Sequence, residues 1–73
     1  MAQHYGPVAD ALYLTLRREP VVRSVALSPD ILLDETFDRW VVGLEVMYPT
    51  DNWAIARTWL QHHGWAPDDD SVG

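Results

Sequence analysis

Few side chains of this 73-residue sequence combine a reactive type with a useful spacing. His62 and His63 are adjacent, so on a helix their side chains diverge by about 100° and could not bind one metal ion together. Cysteine is absent, which removes thiolate ligands and disulfides. The sequence shows neither a glycine-rich phosphate loop nor a serine nucleophile motif. We therefore predict no metal site, no cofactor and no catalytic residue.

Three carboxylates, those of Asp10, Asp34 and Glu45, lie in segments that look like motifs. An acid–base pair would need two of them close together with their pKa values pushed apart. Their spacing brings no two of them together, so we expect the chain not to be an enzyme. Asp10 is expected to bind nearby backbone amides. Glu45 is expected to be solvated on the outer face of a sheet, with an ion pair at an interface as the alternative.

The charge balance narrows the possible partners. Five arginines and no lysine stand against eleven acidic residues, which gives a formal net charge of −6. Binding to DNA or RNA normally requires a basic stripe that displaces counterions from phosphates, so direct nucleic-acid binding is disfavoured. No apolar run is long enough to cross a membrane, and the segment 1–5 lacks the features of a signal peptide. We expect a cytoplasmic protein.

The first two thirds of the chain show the alternating pattern of half-buried strands. Four strands are predicted near residues 11–16, 21–27, 31–35 and 40–47. Because short connections favour antiparallel neighbours, the fold class predicted is α+β, with a four-stranded antiparallel β-meander over about residues 9–48. One face of this sheet collects the apolar side chains of Leu12, Leu14, Leu16, Val21, Val25, Leu27, Ile31, Leu33, Val42, Leu44 and Val46.

The registers follow from short turns between these strands. Val25 is then expected opposite Leu33, and Leu33 opposite Val42. By the same reasoning Leu27 and Leu44 each lie opposite Ile31. Arg23 falls opposite Glu35, where a cross-strand ion pair could form.

Residues 51–63 change to a helical period. One stripe collects Trp53, Ala56, Trp59, Leu60 and His63. Thr50 or Asp51 is expected to cap the start of this helix, and Gly64 suits the left-handed position after its end, which would place Trp65 against Leu60. We predict that the helix packs on one face of the sheet, its own or that of a neighbouring protomer. Residues 1–67 then form one domain, and 68–73 an acidic flexible tail.

Three segments resemble a known family. They are Tyr5–Leu14 (YGPVADALYL), Leu27–Asp34 (LSPDILLD) and Val42–Val46 (VGLEV). Their order and spacing are similar to Y-D-P-x-A-D-A-L-Y-I, P-G-V-L-V-D and G-I-E-I of the small bacterial family called domain of unknown function 2283. Arg39 stands where the third turn of that family often has glycine. The resemblance implies a small β-rich cytoplasmic domain with no established activity, and the toxin-like genes that sometimes neighbour it suggest antitoxin-type binding.

Two classes of function remain open. The first is a small acidic protein-binding module, such as an antitoxin-like inhibitor of a nucleic-acid enzyme, that binds itself as a homo-oligomer or a basic protein partner. Its candidate partner-binding residues are Trp40, Glu45, Met47 and Trp65, because tryptophan is enriched at the centres of protein interfaces. The second is a purely structural domain that associates only with itself, through the sheet edge or the mixed outer face.

Overall fold

The computed structural model describes residues 1–65 and contains one antiparallel sheet and one helix. The predicted tail over residues 68–73 lies outside this described part, as do residues 66 and 67. The elements are β1 (Ala2–Gly6), β2 (Ala11–Thr15), β3 (Arg23–Ser28), β4 (Ile31–Glu35), β5 (Val41–Met47) and α1 (Pro49–His62).

The sheet confirms the α+β class but corrects the predicted meander. It has five strands rather than four, in the order β1-β2-β5-β4-β3. β2 pairs with β1 and β5 and not with β3. β2 and β3, which residues 16–22 connect, are therefore not neighbours in the sheet. The amides of Leu16 and Arg17 both donate to the Val42 carbonyl, at 2.8 and 3.1 Å, and carry the β2–β5 contact past the end of β2.

The additional strand is β1, which forms a hairpin with β2 around residues 7–10. Its central residues Gln3, His4 and Tyr5 are exposed. Such a strand lacks the alternation of apolar and polar residues that predicts a half-buried strand, which is why the sequence pattern missed it.

The predicted registers are partly confirmed. Arg23 lies opposite Glu35 and Val25 opposite Leu33, as predicted. Leu33 instead lies opposite Leu44 and not Val42, a shift of two residues that leaves the same side chains on the same face. The same shift places Ile31 opposite Val46. On its other side Ile31 faces Ser28 and not Leu27, because the β3 register shifts between residues 26 and 28.

The core lies between the sheet and the helix, which packs over β5 at the sheet centre. Its buried members are Leu14, Leu16, Ile31, Leu33, Leu44, Val46, Ala56 and Leu60. Three residues predicted for this face are exposed instead, namely Val21, Val25 and Leu27. The reason is that the β3 region forms the sheet edge, away from the strand that the helix covers. Trp53 and Trp59 are half-buried against the core.

The helix begins earlier than predicted and ends close to where expected. It starts at Pro49, after Tyr48 in the left-handed conformation with φ 48°, and no side chain caps it, so neither Thr50 nor Asp51 has that role. At the other end Gly64 has φ 84° and the Trp65 amide donates to the Leu60 carbonyl at 2.9 Å. This confirms the predicted helix end. Within residues 1–65, no helix combines the length and hydropathy needed to cross a bilayer.

Candidate functional site

The four predicted partner-binding residues separate onto two surfaces. Trp40 and Trp65 line one cleft beside the end of the helix. Glu45 and Met47 lie on the sheet face opposite the core, because they alternate with the buried side chains of β5. The four residues therefore do not form one site, and each surface has its own chemistry.

The first surface, which we call the tryptophan cleft, has a volume of about 510 Å³. Trp40, which precedes β5, is 70% exposed, whereas Trp59 and Trp65 are half-buried. The residues that line the cleft are Arg17, Arg39, Trp40, Val41, Trp59, His63, Gly64 and Trp65. The cleft therefore combines three tryptophans with two arginines.

Both arginines of the tryptophan cleft lack an ionic partner in the described part of the chain. The salt bridge found within residues 1–65 joins Arg23 to Glu35, with 3.3 Å between Nη1 and Oε1. Arg17 is placed by the β2–β5 contact, and Arg39 by a turn in which its amide donates to the Thr36 carbonyl at 3.0 Å. Two exposed cations thus face one aromatic cleft in a protein with an excess of acids.

One wall of the tryptophan cleft is a stacked pair of rings. The centroids of Trp59 and His63 are 3.9 Å apart with an interplanar angle of 18°. His63 Nδ1 lies 2.8 Å from the Trp59 carbonyl oxygen, which fixes the imidazole over the indole. His63, which the helical period places on the same stripe as Trp59, therefore packs on that indole at the helix end, although its ring remains exposed.

The second surface is the open sheet face, where Asp34 and Glu45 form what we call the carboxyl pair. A side-chain hydrogen bond to Asp34, followed by burial and the negative charge of Asp34, raises the pKa of Glu45 to about 7. Ser24 Oγ donates to Asp34 Oδ1 at 2.8 Å from the neighbouring strand β3. Two carboxyl groups with one pKa near neutrality can share a proton at physiological pH.

The carboxyl pair corrects the expectation that no two carboxylates come together. Asp34 lies opposite Gly43, and Glu45 follows two residues later on the same face of β5. The predicted register was displaced by two residues, which put Asp34 opposite Val41 and separated the two groups. Gly43 has no side chain, so the Asp34 carboxylate can lie above it: a Cβ there would be 3.4 Å from Asp34 Oδ2. A glycine inside a strand is a signal for such a close approach.

Asp10 has a structural contact of a different kind from the one predicted. Its carboxylate Oδ1 accepts a 2.6 Å hydrogen bond from the Tyr5 hydroxyl, across the β1–β2 hairpin, rather than binding a backbone amide. This hydrogen bond is the main reason why the pKa of Tyr5 is raised. Asp10 itself has φ 49°, a conformation that aspartate tolerates better than most residues. We assign it to the hairpin and not to a site.

Residues 1–65 contain no set of side chains that could bind a metal ion. Among residues 1–65 no group of three or more histidine, aspartate or glutamate side chains is placed to hold an ion. His62 and His63 follow one another at the helix end, and His63 is stacked on Trp59. The surfaces that remain are the tryptophan cleft, the carboxyl pair and the edges of the sheet.

The fold and these surfaces define a small antiparallel α+β domain that exposes aromatic and acidic groups. The chain belongs to the DUF2283 family, described as proteins of unknown function, whose model matches residues 4–48. That match covers the five strands except the first residues of β1, and it stops before the helix. No curated protein and no solved structure matched the chain.

Proposed function

We propose that this protein is a small acidic protein-binding module that adds an extended segment of its partner to the outer edge of β3. The observation that carries the proposal is an exposed apolar edge strand. β3 is the last strand of the sheet, and Val25 and Leu27 on it are 41% and 37% exposed. An edge strand of this kind presents backbone donors and acceptors to any chain that can pair with it.

The residues before β3 extend the same surface. Val21 and Val22 are each about half exposed, and the Val22 amide donates to the Glu35 carbonyl at 2.9 Å, so the chain is already held beside β4 there. The one charged residue of β3, Arg23, is bound to Glu35 and to the Thr36 carbonyl. The edge therefore lacks the outward charges that natural sheets use to prevent strand addition.

The two faces of the sheet beside β3 indicate the side chains of the partner. Val25 lies on the same face as Leu33, toward the core, whereas Ser24 lies on the open face and binds Asp34. An added strand would place apolar side chains beside Val25 and basic side chains beside Ser24, within reach of the carboxyl pair. A net charge of −6 also favours a basic partner, such as the nucleic-acid-binding site of an enzyme that this module would inhibit.

The test is a comparison of Val25→Lys with Ile55→Lys. Ile55 is 49% exposed on the helix, so the two variants remove a similar exposed apolar group and add the same charge. Tagged full-length proteins would be used to capture partners from the native lysate at low and high salt. We expect a stoichiometric partner with wild type and Ile55→Lys, lost with Val25→Lys and weakened by salt.

Hydrogen exchange of the captured complex locates the contact. Slower exchange of the β3 amides in the complex would support strand addition, whereas protection confined to other strands would contradict it. Light scattering on the purified protein tests the alternative of a self-associating structural domain. A defined homo-oligomer that is lost in Val25→Lys, with no second protein captured, would show a self-associating structural domain and overturn the proposed partner.

A further inference from the structure

We propose that the tryptophan cleft binds a small ligand in which a flat ring carries an oxyanion, either a carboxylate or a phosphate. The proposal concerns a surface apart from the β3 edge and does not depend on it. The cleft is lined by three tryptophans together with Arg17 and Arg39.

The anionic part of the ligand follows from the arginines. Eleven acidic residues are available in this chain, yet neither Arg17 nor Arg39 forms a salt bridge within residues 1–65. A guanidinium group presents a planar fork of donors that matches carboxylate and phosphate oxygens. Two such groups on one cleft give an anion two sources of charge-assisted hydrogen bonds.

The flat ring follows from the tryptophans. Trp40 is 70% exposed, although its indole would gain free energy by covering apolar surface. Trp59 is fixed by its stacked partner His63 at 3.9 Å, and Trp65 packs against the core cluster. Two positioned indoles and one exposed indole suit a planar apolar group, which would stack on them.

The size and charge of the protein favour a small ligand over a polynucleotide. A volume of about 510 Å³ falls within the range typical of sites for small molecules. A nucleic acid would need a longer basic surface than two arginines, and the net charge of −6 would repel it. Glu19 lines an adjoining cleft together with Arg17 and Trp40, but it does not line the tryptophan cleft itself.

The test uses four small probes on the full-length protein. Phenylacetate and phenyl phosphate carry the ring with each oxyanion, benzyl alcohol carries the ring without charge, and acetate carries the charge without a ring. The readout is the NMR signal of the four indole N–H groups, in which Trp53 serves as internal reference because it does not line the cleft. We expect saturable shifts of Trp40 and Trp65 with the first two probes, at a Kd of about 1 mM.

The difference between phenylacetate and phenyl phosphate identifies the preferred oxyanion. Benzyl alcohol and acetate should bind at least about tenfold more weakly, since each lacks one of the two recognised groups. If benzyl alcohol bound as tightly as phenylacetate, the requirement for an oxyanion would be overturned. If acetate bound as tightly as phenylacetate, the requirement for a ring would be overturned. Shifts of Trp53 as large as those of Trp40 would show nonspecific association and overturn the site.

Three arginine variants complete the experiment. Arg17→Gln and Arg39→Gln should each weaken phenylacetate binding by about tenfold, because each removes a charge-assisted hydrogen bond. Arg18→Gln is the matched control, since Arg18 is exposed beside Arg17 but does not line the cleft. A similar loss in all three would indicate only a long-range effect of charge and contradict the assigned site.

The chain's own carboxylates are the competing occupant. Asp68, Asp69 and Asp70 follow Trp65 closely in sequence, outside the described residues. A variant with all three changed to asparagine should bind the probes as wild type does. If its affinity for the probes rises by about tenfold or more, the cleft of the full chain binds these carboxylates and the external ligand is refuted.

Discussion

Asp34 on β4 and Glu45 on the paired strand β5 lie close together on the open face of the sheet, and the Asp34 carboxyl group raises the pKa of Glu45. One proton between two carboxylates explains why the pKa of Glu45 is raised to about 7. The pair therefore changes its net charge near neutral pH. A basic partner segment beside Ser24 would be attracted more strongly above this pKa than below it.

The stability of the protein should depend on pH through Glu45. Because its pKa is raised in the folded state, folding is favoured by the bound proton; this contribution is complete below about pH 4.5 and is lost as pH rises through about 7. Glu45→Gln keeps a neutral group at all pH values. We expect it to raise the free energy of unfolding at pH 8 by about 1 kcal/mol, a value reduced for solvent screening, and to change little at pH 5.

Urea unfolding at the two pH values measures this effect. Glu19→Gln is the control, because Glu19 is an exposed glutamate outside the carboxyl pair. A pH dependence of stability that is identical in wild type and Glu45→Gln would show that the pair does not share a proton.

Gly43→Ala should destabilise the protein, although a strand is normally more stable with alanine than with glycine. Its Cβ would lie 3.2 Å from the Leu14 carbonyl oxygen, in the neighbouring strand β2, and 3.4 Å from Asp34 Oδ2. We expect a loss of about 1 kcal/mol in unfolding free energy, since backbone at the sheet centre cannot move aside without cost. Gly6→Ala is the matched control, because its nearest contact is Tyr13 Cε2 at 3.4 Å and the side chain can adjust. Equal stability of the two variants would argue against the close approach at Gly43.

Arg39→Gly should stabilise the fold. Arg39 has φ 68°, in the left-handed region where a side chain is strained. Relief of that strain should raise the free energy of unfolding by about 0.5–1 kcal/mol after the entropy cost of glycine is included. Arg18→Gly, at a position without positive φ, should lower it instead. Thermal unfolding of both variants decides the point, and destabilisation in both would mean that Arg39 is not strained.

Leu60→Ala tests whether the helix closes the core. Leu60 is fully buried in the cluster between sheet and helix. Its truncation should reduce the free energy of unfolding by about 3 kcal/mol, whereas Ile55→Ala on the exposed side of the same helix should cost less than about 1 kcal/mol. Comparable small losses at both positions in denaturant titrations would indicate that the helix contributes little to the core.

Local pairings could be predicted from the sequence because short connections leave few alternatives. Val25 opposite Leu33 and Arg23 opposite Glu35 belong to a tight hairpin, and Gly64 marks the helix end through its left-handed conformation. The shift at Leu33 was invisible to the pattern. A slip of two residues leaves every side chain on the same face, so alternation alone cannot detect it.

The candidate sites were harder to predict than the strands because they depend on long-range pairing. Arg17 comes next to Trp40 and Val41 because β2 pairs with β5, and a meander would have separated them. Residue type alone points to Trp40 and Trp65, but not to the arginines that line the same cleft. The carboxyl pair depends on the β4–β5 register, which alternation alone leaves undetermined by two residues.

The β2–β5 contact also determines how the molecule assembles in time. The β1–β2, β3–β4 and β4–β5 pairings join residues that are close in sequence. The β2–β5 pairing joins residues about thirty positions apart. Closing that seam costs more chain entropy than closing any one of the hairpins. During synthesis the hairpin must wait for residues 41–47 to emerge, with the apolar face of β2 still uncovered. We therefore expect the folding rate to depend more on this central seam than on the hairpins.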